Sequence, residues 1–275
     1  MTGVSVVVPC RDRADLLRRS LQALVGCLGP EDELVVVDAA SSTPEVARVA
    51  GAAGAVVVRS LQPGASAARN AGWRAARHDL VAFTDDDCRP DSGWTAAVAS
   101  ALQDLEAVCG RVVADGDGHL SVLESAEPRD YLRTDDPAGF GHGANVAARR
   151  AALEAVDGWD ERLGPGTPWP GGEDKDLLVR LLAAGCAVGY RPTPLVRHVQ
   201  WRSRRQSLRA ELGYARGSGF LAAQGIGPSA LHRAGAEVGT GVRDLRAGYQ
   251  YGAVAGLVRA GGVVWGAATA RRRLR

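Results

Sequence analysis

The chain has almost no lysine: of its 33 basic side chains all but Lys175 are arginine, a bias we read as base composition. It also holds a single methionine and only three phenylalanines, so any core must be built mainly from Val, Leu and Ala. Five cysteines (Cys10, Cys27, Cys88, Cys109 and Cys186) form no CxxC pair and are odd in number. That pattern excludes a disulfide framework, makes zinc a poor guess and fits buried, reduced thiols. The opening residues go straight into an apolar strand and an acidic turn, without the basic start, apolar stretch and cleavage site of an export signal. The expected location is therefore the cytoplasm, including the inner face of its membrane. Neither charge dominates: 33 bases against 31 acids leave a formal +2, too little to draw the protein to nucleic acid. The most apolar late stretch, Tyr251 to Ala270, is interrupted by Arg259 and several glycines. It is expected to fall short of a spanning helix, though able to lie against a membrane surface.

With 275 residues and 46% hydrophobic content, the chain can bury a large α/β core. Short apolar runs alternate with helix-period segments through the first half: Val4 to Val8, Leu16 to Leu28, Leu34 to Val37, a helical stretch, then Ala55 to Val58. This alternation predicts βαβ units and a parallel sheet covered on both faces. Leu17, Leu21, Leu24 and Leu28 recur along one helical face that would pack on the sheet. A helix over Gly64 to Arg77 and a strand over Leu80 to Thr84 follow, then a strand near Ala107 to Ala114 and a Gly and Asp loop. A charged stretch from Glu124 to Asp136 has no clear pattern, and Gly139 to Arg150 reads as glycine-rich, then helical. We expect two halves, 1–105 and 106–200, in one domain over residues 1–200, and a helical extension over 201–275.

Ligands of open parallel sheets bind beyond the carboxyl ends of the strands. Here those ends carry Cys10, Arg11 and Asp12, then Asp38, then Asp85, Asp86 and Asp87. Three adjacent carboxylates repel one another, and a hard divalent cation or strong donors would relieve them; a solvated acidic turn before Pro90 is the plain alternative. Asp174 lies 89 residues beyond Asp85, beside Glu173 and ahead of a Leu-striped helix, where the helix dipole favours negative charge. Helix capping alone would account for that pair.

Seven segments stand in one order: VSVVVPCRDR (4–13), ELVVVDAASS (33–42), GASAARNAGWRAARHDLVAFTDDD (64–87), GHGANVAARRAAL (141–153), GWDERLG (158–164), GGEDKDLLVRLLAAG (171–185) and YRPTPLVRH (190–198). Together they resemble glycosyltransferase family 2, an inverting family of GT-A fold. The resemblance implies a Rossmann-like, mostly parallel sheet flanked by helices, with the C-terminal helical appendage outside the match. It also implies transfer of a sugar from a nucleotide-diphosphate donor to an acceptor hydroxyl, with Mn²⁺ or Mg²⁺ as cofactor. By the same resemblance Pro9, Cys10 and Arg11 line the nucleotide pocket and Asp38 reaches the base or ribose. Arg69 and Asn70 lie near the ribose and diphosphate. Asp85 and Asp87 correspond to the outer acids of the DxD motif, Asp87 on the metal and Asp85 nearer the ribose, with Asp86 available to either duty. Asp174 resembles the catalytic base, and Glu173 helps place the acceptor. His198 stands where some GT-A enzymes have a third metal ligand or a diphosphate donor, although a lone histidine also reads as structural.

The chain departs from the family where Ala39-Ala40 follow Asp38 in place of a second acid, and where Cys10-Arg11-Asp12 replace Thr-Tyr-Asn. A nucleotidyltransferase is a rival, but VVVPCRDR lacks the glycine-rich phosphate loop of sugar-nucleotide synthases. A non-catalytic nucleotide-sugar-binding scaffold is another, and it would bind donor without transfer. The acceptor, whether glycan, lipid carrier, peptide or small molecule, is not legible. Trp159 could stack on a sugar or fill core, while Trp169 is expected to meet the acceptor. The arginines of 197–209 and Arg271, Arg272, Arg273 and Arg275 read as solvated helix faces. With Trp201 and Trp265 interleaved, they also suit anionic lipid headgroups or a phosphorylated carrier.

Overall fold

A computed structural model describes residues 3–116, 123–246 and 250–273. The chain order is β1 (Val4–Cys10), α1 (Ala14–Cys27), β2 (Glu33–Ala39), α2 (Glu45–Ala52), β3 (Val56–Ser60), α3 (Ala65–Ala75), β4 (Leu80–Phe83), β5 (Cys88–Pro90), α4 (Trp94–Ala101) and β6 (Ala107–Asp115). It continues through β7 (Arg129–Asp130), β8 (Val146–Arg149), α5 (Arg150–Ala155), α6 (Glu173–Ala183), β9 (Val188–Val199), α7 (Arg204–Ala223), α8 (Ala230–Arg246) and α9 (Gln250–Arg273). The described strands form one sheet, ordered β3-β2-β1-β4-β8-β6-β9-β5, with β7 on β9.

The first four strands in that order run parallel, as the alternation of apolar runs and helices predicts. Successive side chains of a strand face opposite sides, so β1 sends Val4, Val6 and Val8 into one core with Leu17, Leu21 and Leu24 of α1, and Val7 into the other with α3 and α6. Both faces are covered, which is why the strand reads as an unbroken apolar run. Leu28 packs at the edge of the first core. At Gly72 the axis of α3 comes so near the sheet that a methyl group would strike Val7 and Val37.

The second half is mixed, with β8 antiparallel to β4 and β6, and β9 parallel to β6 but antiparallel to β5. Residues 146–149, expected to lead into helix, form β8; half of them are alanine, and their pairing with β4 and β6 decides their shape, not their own propensity. The Gly and Asp loop expected after Ala114 extends into residues 117–122, outside the described residues. The sheet ends at Val199, and the chain from Arg204 on is helical.

Helix α9 includes a stretch, Tyr251–Ala270, whose length and mean hydropathy of 1.3 suffice to cross a membrane, against the expectation that it falls short. Its inner side is occupied, since Arg259 pairs with Glu237 at 2.6 Å and Glu211 at 3.4 Å. Arg216 of α7 stacks on Trp265 with its guanidinium carbon 4.2 Å from the ring centroid.

Candidate active site

The parallel strands β1, β2 and β4 end at one edge of the sheet, and a cleft of about 570 Å³ opens there. Pro9, Cys10 and Arg11 line it from β1 and its turn, Asp85 and Asp87 from beyond β4, and Glu173 and Asp174 from the start of α6. Segments far apart in sequence thus share one cavity.

The three aspartates separate. Asp86 points inward and is fully buried, with Nε of Arg13 donating to it at 2.9 Å. Burial pushes its carboxyl up to about 7 even with that partner. Asp87 faces the cleft and accepts from the indole N–H of Trp201 at 2.8 Å, while Nε2 of His198 stands 3.1 Å from its other oxygen. Burial works against its charge, but His198, Arg13 and Trp201 win and hold it well below the usual carboxylate range. His198 is correspondingly raised, Asp87 outweighing the burial of the ring. Asp85 accepts from Arg69 at 2.9 Å.

His198 reaches Asp87 because β5 leaves the aspartates and pairs antiparallel with β9, in a register that sets Cys88 opposite His198. One ligand atom each from Asp85, Asp87, Cys88 and His198 lies within 4.8 Å of all the others. Burial pushes the Cys88 thiol far up, so it stays protonated and is a poor ligand. Two carboxylates and an imidazole remain, a donor set that suits Mn²⁺ better than Mg²⁺, which favours oxygen alone.

Arg69 joins the two acid groups. It is 2% exposed, lies 4.7 Å over the Trp159 ring, and reaches Asp85 at 2.9 Å and Glu173 at 3.4 Å. Glu173 is pushed up to about 7 by burial and by the charge of Asp174. Asp174 is lowered although buried, because Lys175 and His142 stand close and the backbone N–H groups of Lys175 (2.8 Å) and Gly143 (3.0 Å) donate to it. His142 is itself pushed down to about 4 by burial and by His198, so its ring is neutral.

Several expectations are corrected. Asn70 does not line the cleft; its carboxamide donates to the Trp159 carbonyl at 2.9 Å and to Glu161 at 2.9 Å, and accepts from Trp73 at 3.0 Å, which makes it a strut of the loop after α5. Asp38 is 1% exposed and is taken by Arg59 and the Ser41 N–H, so it too stands off the cleft. Asp86 belongs to the interior. Trp169 packs on Phe220 of α7, ring centroids 4.3 Å apart, and not on the cleft. Trp159 is core, edge-on to Phe83 at 5.2 Å. Arg202 precedes α7 and lines the cleft 3.9 Å from Asp87, not a solvated helix face.

Sequence reasoning also passed over Arg13, His142 and Tyr214. Arg13 and His142 stood inside quoted motifs, so a search for cations to offset the three aspartates would have found Arg13. Tyr214 on α7 and Arg233 on α8 close the far wall of the cleft, and nothing in their local sequence marks them.

Residues 5–157 match the family described as Glycosyl transferase family 2. A pre-mycofactocin glycosyltransferase of Mycobacterium tuberculosis is 31% identical over 209 residues, 71% of this chain and 42% of that protein. Glycosyltransferase AglE of Haloferax volcanii is 33% identical over 98 residues, 33% of this chain and 32% of its own length. The chain therefore spans less than half the length of these curated relatives. Among solved structures, a mannosyltransferase of Pyrobaculum calidifontis in complex with GDP-Man and Mn²⁺ superposes with a TM-score of 0.60 at 21% identity, over 97% of this chain and 75% of that one. S. aureus TarS in complex with UDP-GlcNAc gives 0.60 at 16% identity, over 78% and 66%. Both likenesses are of fold, the GT-A type, and the first extends over the C-terminal helices as well. With these relatives and the ordered motifs in agreement, the chain belongs to glycosyltransferase family 2.

Proposed function

We propose that the protein is a metal-dependent, inverting glycosyltransferase that moves a sugar from a nucleoside-diphosphate donor to an acceptor hydroxyl. The observation that carries the reading is the bridge through Arg69, which holds the Asp85 end and the Glu173 end of the cleft within one guanidinium of each other. The diphosphate would lie against Arg69 and Arg202, whose Nε and one terminal nitrogen, respectively, are buried and without a hydrogen-bond partner among the described residues. Asp85, Asp87 and His198 would hold the divalent cation, which supplies Lewis-acid stabilisation of charge on the leaving group. Mn²⁺ and a nucleotide sugar together in the Pyrobaculum relative support this assignment.

Of the two carboxyls at the start of α6, Asp174 is the one kept ionised near neutral pH, so it is the base that takes the acceptor proton on a carboxylate oxygen. Glu173, tied to Arg69 and half protonated near pH 7, positions the acceptor side. The other carboxyls lining the cleft are each engaged, Asp85 and Glu173 by Arg69, Asp87 by His198 and Glu237 by Arg259, which favours a single displacement through an oxocarbenium-like state that inverts the anomeric centre. Incubation with UDP-, GDP- and dTDP-sugars plus Mn²⁺ tests this. Release of nucleoside diphosphate and a product of opposite anomeric configuration by NMR support the reading; pyrophosphate release, or a product of retained configuration, contradicts it.

A further inference from the structure

From residue 201 onward the chain carries thirteen arginines against three acids, Glu211, Glu237 and Asp244, although the whole chain is nearly neutral at +2. The helical extension is thus strongly positive and the sheet domain correspondingly negative. The same extension has an unusual surface. On α9 every exposed position between 251 and 270 is apolar or glycine, and Val254, Leu257, Val264 and Trp265 recur at intervals of three, seven and one along one side. On α8 Leu231, Val238, Val242 and Leu245 do the same, with Leu231 79% and Leu245 60% exposed.

The two stripes form one face. Glu237 meets Arg259 and Gly241 meets Gly256, so α8 and α9 run antiparallel with a known line of contact. At about 100° per residue the α8 stripe lies roughly a quarter turn from that line and the α9 stripe somewhat over a third of a turn, and the opposite chain directions put both on the same side. Arg246 is exposed near one end of this face, where α8 stops, and the last turn of α9, Arg271 to Arg273 in sequence, lies at the opposite end of that helix.

We infer that this α8–α9 face docks the protein peripherally on an anionic lipid surface. Apolar side chains enter the interface, Trp265 sits at headgroup depth and the arginines meet lipid phosphate, as in amphipathic interfacial helices. A second copy of the chain is the wrong occupant, because an isologous contact would bring together two helical extensions that each carry thirteen arginines against three acids. A spanning role for α9 is disfavoured by its packing. A methyl group on Gly219 or Gly266 would strike the backbone of the neighbouring helix, and Arg259 is held by two carboxylates, so α9 cannot leave α7 and α8 without stranding a charge. Arg233 and Glu237 line the cleft from another side of α8, so docking sets the cleft about one helix diameter, 10 Å, from the headgroups.

Flotation of the full chain with phosphatidylglycerol/phosphatidylcholine vesicles, and with phosphatidylcholine alone, tests the inference independently of catalysis. The wild type is expected to float with the anionic vesicles only, and to be released at about 1 M salt, where screening acts within about 3 Å. Leu245→Glu and Leu257→Glu, at positions 60% and 62% exposed, should each weaken partitioning about tenfold with unchanged melting temperature. A wild type that stays in solution with anionic vesicles, variants that float equally well, or a dimer in sedimentation that Leu257→Glu dissolves would overturn it.

Discussion

Asp85, Asp86 and Asp87 are balanced by side chains brought from far along the chain, whereas Asp174 is balanced largely within its own helix turn and the adjoining loop. Arg13, Arg69, His198, Trp201 and Arg202 converge on the first group from four segments. The second relies on the N–H groups of Lys175 and Gly143, the Lys175 ammonium and the start of α6. The contrast has a mechanistic sense. A group meant to share cations can be rebalanced when a ligand arrives, while a base must stay ionised and aimed whatever else is bound. Loss of the first group should therefore show in binding, and loss of the second in rate.

The sharpest way to break this comparison is Asp174→Asn. Transfer should fall by roughly 10²- to 10⁴-fold, the worth of a positioned base, while calorimetric donor affinity is unchanged; a matching loss of donor binding would merge the two groups into one. Next in size is Arg13→Met. It strands the fully buried Asp86 and should cost about 3 kcal/mol in urea unfolding, most of it restored when Asp86→Asn is added. Equal destabilisation in the double variant would show that Arg13 acts by packing alone.

A smaller effect follows from Glu173, whose folded pKa of about 7 lies above its ordinary 4.5. The folded protein keeps a proton that the unfolded chain gives up, so this group's stabilisation is complete below about 4.5 and is lost as pH rises through about 7. Glu173→Gln should flatten the stability curve across that window and remove an inflection near 7 from the rate profile. The acid limb set by Asp174, which lies below the ordinary carboxylate range, should remain. Smallest is Trp201→Phe, which removes one hydrogen bond to Asp87 and should weaken metal-dependent donor binding by roughly three- to tenfold, with little change in turnover.

Much of the fold was legible because the parallel half is built from sequence-local units. Val4 to Val8 and the Leu17-Leu21-Leu24 stripe each announce an element and a buried face. The mixed half was not, since β8 is an alanine-rich strand made by its neighbours. In the site, strand-end acids pointed to the right edge of the sheet, and order along the chain linked them to Glu173 and Asp174. Adjacent residues, however, cannot reveal which faces the cavity. Asp86 turned inward between two aspartates that did not, and Asn70 turned away beside Arg69, because strand and helix geometry rotates each successive side chain. Arg202 and Tyr214 enter only through tertiary packing of the C-terminal helices, which no local pattern encodes.

The central claim is that the aspartates beyond β4 make a metal-dependent nucleotide site. Its most direct test is calorimetric titration of the wild type and Asp87→Ala with UDP, GDP and dTDP, with and without Mn²⁺. We predict that one nucleotide binds only with the metal and that the variant, still folded, loses it. Binding that is indifferent to Mn²⁺ and to Asp87, or no binding of any of the three, would contradict the account.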